Sequence, residues 1–256
     1  MGSTADIWVA GAADPTAALD AGFGELDQVD RAMSLWKESE LTALNRAGGG
    51  HVSDGLFCVL KDAMMIAALS GGAFDPTVEP LVRATGGLGG LAKGYAVDRA
   101  LAALRAAGAR SAVVDLGRSS LGVFGDALAL DVADPEDPTR PPWASFVVRE
   151  ATVGSSGADQ RKDHVFDPRT GRAARRVLAA TVVASSAREA DALSTAVFVL
   201  GAEEGLALLE RRGAAGFVLV KERGRRIVWA TRGFAESHQL TLAPGILLRP
   251  RRSAER

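Results

Sequence analysis

Glu189-Ala190-Asp191-Ala192-Leu193-Ser194-Thr195-Ala196-Val197-Phe198-Val199-Leu200-Gly201 reads as an amphipathic helix closed by a glycine. Leu193, Val197 and Leu200 make one apolar stripe that asks for a core beneath it. Asp191 and Thr195 are four apart and share a face, with Ser194 at its edge. A carboxylate beside hydroxyls is a hard-oxygen set, suited to Mg²⁺ rather than zinc. Spacing alone also fits, more simply, an aspartate favoured by the helix dipole with the threonine merely packed.

Outward from this helix, elements alternate irregularly. Upstream, Ala180–Ala184, Ser145–Val148, Leu128–Val132, Ser111–Leu116 and Ile7–Ala10 are short and β-favouring. Downstream, Gly205–Arg212 continues as helix, and Phe217–Val220 with Arg226–Ala230 form a hairpin across Glu222-Arg223-Gly224. Helical spacing marks Pro15–Asp30, Ser39–Arg46 and Phe57–Leu69, and a further helix runs from about Tyr95 to Ala107. Frequent hairpins predict an α+β fold of mixed and antiparallel sheets with packed helices, not a doubly wound parallel sheet. One domain over residues 1–256 is expected, with a loose basic tail over 249–256.

Composition narrows the function. A formal net charge of −1 gives no field to draw nucleic acid or an anionic membrane. Apolar runs are too short to span a bilayer, and Met1–Trp8 has no signal-peptide character, so a cytoplasmic protein is expected. Cys58 is the only cysteine, which removes intrachain disulfides and cysteine-based zinc sites; it is expected to be a buried small residue.

Two further segments carry chemistry. Gly87-Leu88-Gly89-Gly90-Leu91-Ala92 formally matches a dinucleotide fingerprint, but Pro80 spoils the buried strand that should precede it. The Walker pattern fails too, because Lys93 precedes Gly94 with no Ser or Thr. What remains is either a flexible turn or a glycine-rich backbone that opens a helix, carries a lysine and cradles phosphate. His164-Val165-Phe166-Asp167-Pro168-Arg169-Thr170-Gly171 joins a histidine to a tight turn. Gly154-Ser155-Ser156-Gly157 is not a nucleophile elbow, so no serine hydrolase follows from it.

Taken in order, the segments resemble the FAD:protein FMN transferase family, also called the ApbE family. The carriers are Met1-Gly2-Ser3, Met33-Ser34-Leu35-Trp36 through Ser39-Glu40-Leu41 to Leu44-Asn45, and Gly72-Ala73-Phe74-Asp75-Pro76-Thr77. With them stand Gly89-Gly90-Leu91-Ala92-Lys93-Gly94-Tyr95-Ala96-Val97-Asp98, the His164–Gly171 turn and Ala190–Gly201. Any one block is unspecific; six in order span nearly the whole chain.

The resemblance implies a fold of two intimate lobes and Mg²⁺-dependent transfer of FMN from FAD to a Thr or Ser hydroxyl of an acceptor protein, with release of AMP. By matching position it implies Asp191, Ser194 and Thr195 at the metal, with the Gly90 carbonyl. It implies Met1, Trp36, Ala73, Phe74, Asp75, Gly87, Lys93, His164 and Val165 at FAD, and His164 and Asp191 as catalytic residues. The alternatives are a divergent member that binds or hydrolyses FAD without an acceptor, and a non-catalytic flavin- or metal-binding module. Four departures bear on these. Gly87 stands where the family carries Asp, and only Arg83-Ala84-Thr85-Gly86 separates Val82 from it, a shortened stretch. Gly117-Arg118 replaces a Gly-Gly pair, and Asp163 replaces a second histidine.

Overall fold

The computed structural model describes residues 3–77, 87–157 and 165–251, and for residues 87–90 the backbone alone. In chain order the elements are β1 (Ala5–Ala10), α1 (Pro15–Met33), α2 (Glu40–Ala47), α3 (Asp54–Leu69) and α4 (Gly87–Ala106). Strands β2 (Ser111–Leu116), β3 (Ser120–Phe124), β4 (Leu128–Val132), β5 (Ala144–Val148) and β6 (Ala151–Gly157) follow. Then come β7 (Phe166–Asp167), β8 (Arg172–Ala173), β9 (Ala179–Ala184), α5 (Ala187–Leu200) and α6 (Ala202–Arg212). The chain closes with β10 (Ala215–Glu222), β11 (Arg225–Ala230), α7 (Phe234–Ser237), β12 (Thr241–Leu242) and β13 (Leu247–Pro250).

Local chemistry sets the helix starts. Asp14 accepts from the Ala17 N–H with Pro15 at the first helical position, and Ser39 with Thr42 closes a reciprocal capping box. Ser53 and Ser186 cap α3 and α5 by accepting from the N–H groups of Leu56 and Glu189.

Eight strands form the main sheet in the order β1-β2-β3-β6-β9-β10-β11-β13; each pair is antiparallel except β11 with β13. Alternation along its strands feeds two cores. Val218, Ala180 and Val182 face the helices, while Phe217, Leu219, Ala179 and Val183 face a small sheet of β12, β5 and β4. The second core is aromatic: Trp143 and Phe146 meet Phe217 edge-on, with centroids 5.7 and 5.5 Å apart. The predicted α+β class with mixed sheets holds, and its two lobes amount to two cores on opposite faces of one sheet.

Three expectations are corrected. The glycine run is helical, since α4 begins at Gly87 and Lys93 lies in its second turn. Isolated glycines disfavour a helix by about 1 kcal/mol each, and packing of α4 against α1 and α5 overrides that. Cys58 is exposed. Helical phase puts Leu56, Val59, Ala63 and Ile66 inward, leaving Cys58 outside with Phe57 and Met64. At the C-terminus, Arg249 lies in β13 and bonds Glu222, and Arg251 bonds Glu210, so the first residues of the expected loose tail are tied down. No helix among the described residues is long and apolar enough to cross a membrane.

Candidate functional site

Helix α5 is held at its start by two other elements. Asp98 on α4 accepts hydrogen bonds from the N–H groups of Ala187 (2.7 Å) and Arg188 (3.2 Å), satisfying donors that a helix start leaves free. Arg188 also pairs with Asp62 of α3 at 3.0 Å. The close fit depends on glycine. A Cβ at Gly94 would run into the backbone of Ala187 and Arg188, and one at Gly154 into the backbone of Ala190 and Asp191. Helices α4 and α5 and strand β6 therefore meet around Asp191.

Asp191 is only 4% exposed. Burial pushes its carboxyl up to about 8; the Lys93 charge, the Ser120 hydroxyl and the Gly94 N–H pull it down, and Asp98 adds to the rise. Even so, Asp191 Oδ2 is buried without a hydrogen-bond partner, and the neighbouring Ser120 Oγ, though close enough to act on the carboxyl, makes no hydrogen bond of good geometry either. A buried carboxylate oxygen left open is expensive unless something cationic completes it. Carboxylate and hydroxyl oxygens make up the donor set, which fits a hard divalent ion such as Mg²⁺. Among the described residues no three His, Cys, Asp or Glu side chains gather. Mg²⁺ keeps several waters and substrate oxygens in its shell and needs no such cage.

The hydroxyls sit one turn further along. Ser194 Oγ donates to the Asp191 carbonyl at 2.8 Å, and Thr195 Oγ1 does so at 3.4 Å. Ser156 on β6 reaches Ser194 Oγ at 2.9 Å and Thr195 Oγ1 at 3.4 Å. Ser194 is buried and turned into its own helix, whereas Thr195 is half-buried. Lys93 donates to Ser119 Oγ at the turn between β2 and β3. Lys93, Asp191, Ser194 and Thr195 are thus gathered at one place.

The other expected residues divide. Trp36 is 76% exposed, an aromatic face open to a ligand. Ala73 and Phe74 are buried, with the Phe74 N–H donating to Ser70 Oγ. Asp75 is engaged by its own turn, accepting from the Thr77 N–H and hydroxyl. Val165 is half-buried against the helical core, and its carbonyl accepts from Ala174. Gly87 and Gly90 lie in the first turn of α4. Met1 and His164 lie outside the described residues.

Sequence reasoning assigned no role to Asp98, Ser119, Ser120 or Ser156. Only Asp98 carried a signal, as the last residue of the lysine block, because i, i+4 logic does not reach across helices. Replacing Asp98 with Ala is expected to lower stability by about 1–2 kcal/mol, as for a lost N-cap. Urea unfolding measures this; an unchanged midpoint would show that Ser186 alone suffices to cap α5.

The comparisons agree with this architecture. The ApbE family model matches residues 1–88 and 87–218. A protein of Treponema pallidum named FAD:protein FMN transferase is 30% identical over 272 residues, covering 77% of this chain and 75% of its own length. Among solved structures, the flavin transferase ApbE from Vibrio cholerae superposes with a TM-score of 0.78 at 23% identity, over 92% of this chain and 96% of that one. The ApbE protein of Thermotoga maritima gives a TM-score of 0.75 at 21% identity, over 94% and 96%. At these identities the structures speak for the fold.

Proposed function

The chain belongs to the ApbE family, and on that premise we propose that it is a Mg²⁺-dependent FAD:protein FMN transferase. It takes FAD as donor and a protein Thr or Ser hydroxyl as acceptor. The observation that carries this reading is the open Asp191 Oδ2, buried beside the Lys93 charge.

Asp191 and Thr195 would hold Mg²⁺, with Ser194 adjacent and the Gly90 carbonyl completing the protein's share. When bound, the ion supplies charge neutralisation at the pyrophosphate oxygens. Lys93 adds a fixed positive charge there. Trp36, Ala73, Phe74, Asp75, Gly87, Val165 and Met1 form the proposed FAD contacts, with Trp36 offering a stacking face. His164 is proposed to take the proton of the acceptor hydroxyl. The acceptor oxygen then bonds the FMN phosphorus, the pyrophosphate P–O bond breaks, and AMP leaves with that bond's electrons. Such a reaction asks for positioning and charge compensation more than covalent help from the protein.

Incubation with FAD, Mg²⁺ and a flavinylation acceptor domain tests this by resolving AMP, FMN and acceptor mass. An acceptor heavier by one FMN, together with AMP, is expected, and chelation should stop both. AMP and FMN without an adduct would replace transfer by hydrolysis. Bound FAD without turnover would overturn the enzyme reading altogether.

A further inference from the structure

We propose that Arg118 is a ligand-binding residue that supplies a second cation, beside Lys93, to the phosphates of the nucleotide donor. The inference rests on the FAD reading above.

The backbone holds Arg118 in a conformation that L side chains rarely adopt. The loop between β2 and β3 is Gly117-Arg118-Ser119, and both Gly117 (φ 68°) and Arg118 (φ 56°) are left-handed. Hairpin turns with two successive positive φ values favour glycine or asparagine, and an arginine there is held against its preference. Gly117 is confined as well: its N–H donates to the Thr4 carbonyl at 2.8 Å, and a Cβ would press on Ser3. Positive φ alone decides nothing, since Glu150 (φ 46°), Arg223 (φ 49°) and Gln239 (φ 51°) share it, and Arg223 is an exposed hairpin arginine like Arg118; what sets Arg118 apart is its place beside Lys93. Glu150, however, has work: its carboxylate accepts from the Gly125 N–H and pairs with Arg105. Among the described residues, the exposed Arg118 guanidinium has no hydrogen bond or ion pair.

Position supplies the second argument. The next residue, Ser119, accepts from Lys93 through its hydroxyl and from the Ser155 N–H through its carbonyl at 2.8 Å. The turn is thereby fixed to the lysine on one side and to the strand carrying Ser156 on the other. The Asp115 carboxylate accepts the Arg118 N–H at 2.9 Å, which steadies the turn, and it feels the charges of both Arg118 and Lys93. An exposed guanidinium on the turn that Lys93 binds through Ser119 is suited to a diphosphate at the proposed Lys93–Asp191 site.

The test is equilibrium binding of FAD, ADP and riboflavin to the wild type, Arg118→Gly and Arg118→Lys, by dialysis with Mg²⁺ present. Arg118→Gly relieves the backbone and should fold at least as well, read by its urea midpoint. It should nonetheless weaken FAD and ADP by roughly tenfold or more, as expected for a lost charge-assisted hydrogen bond. Riboflavin, which has no phosphate, should bind all three proteins alike, and Arg118→Lys should recover much of the lost affinity. Equal FAD affinity across the three proteins, or an equal loss for riboflavin, would overturn the role of Arg118 while leaving the FAD reading intact. A wild type that binds neither FAD nor ADP would overturn both.

Discussion

Asp191→Asn is expected to abolish Mg²⁺-dependent turnover of FAD and, in chelator at pH 8, to make the protein more stable than the wild type. Both effects come from one carboxyl. It is buried, one of its oxygens lacks a partner, and burial raises its pKa from 3.8 to about 8. The folded state therefore holds a proton that the unfolded chain has released throughout that window. The contribution of Asp191 to stability thus falls as pH rises from about 4 to about 8, with a limiting slope of about 1.4 kcal/mol per pH unit. The amide has no such titration, so the gap between variant and wild type should open with rising pH and close near pH 4. Urea unfolding across this range measures it. A bound divalent ion should favour the ionised wild type and leave the variant unmoved. Full turnover in Asp191→Asn would remove the metal assignment; a variant less stable than wild type at pH 8 would remove the burial argument.

Gly154→Ala should be strongly damaging to both the sheet and the site. Gly154 pairs with Ser120 on one side and Val182 on the other, so β6 cannot move aside. Its added Cβ would meet the backbone of Ala190 and Asp191, which no rotamer change can relieve. Helix α5 must lift instead, carrying Asp191 away from Lys93 and Gly94. Overpacking of this kind destabilises by about 1–3 kcal/mol. A shift of about 1 Å at a reacting centre can reduce rate by about a hundredfold. Gly157→Ala on the same strand is the control: its Cβ would meet only the Leu178 carbonyl at 3.8 Å, an ordinary contact. Equal unfolding midpoints and rates for the two variants would show that the close approach does not hold α5 in place.

Much of the fold was legible because helix signals are local. Asp14-Pro15, Ser39 with Thr42, and the stripe of Leu193, Val197 and Leu200 each act within one or two turns. Besides the short edge strands β7, β8, β12 and β13, two central strands escaped notice. β3 reads Ser-Leu-Gly-Val-Phe and is largely buried on both faces, so it has no polar–apolar alternation to detect. β6 reads Ala-Thr-Val-Gly-Ser-Ser-Gly, whose small residues look like a loop until a helix is found lying on them. The same blindness put the glycine run before α4 rather than inside it and placed Cys58 in the core.

The sequence by itself determined the α+β class, most helix boundaries to within a few residues, the start of α4 excepted, and the family to which the chain belongs, through six short blocks in fixed order. It also singled out Asp191, Ser194, Thr195 and Lys93 as candidates, because helical spacing and block identity are properties of the chain alone. Only the tertiary structure decided that Asp191 is buried with an open oxygen, that Asp98 caps the helix bearing it, and that Gly94 and Gly154 bring three elements together there. It also placed the Arg118 turn beside Lys93. These are relations between residues far apart in the chain, and burial, charge coupling and steric contact act through space, where sequence spacing has no reach.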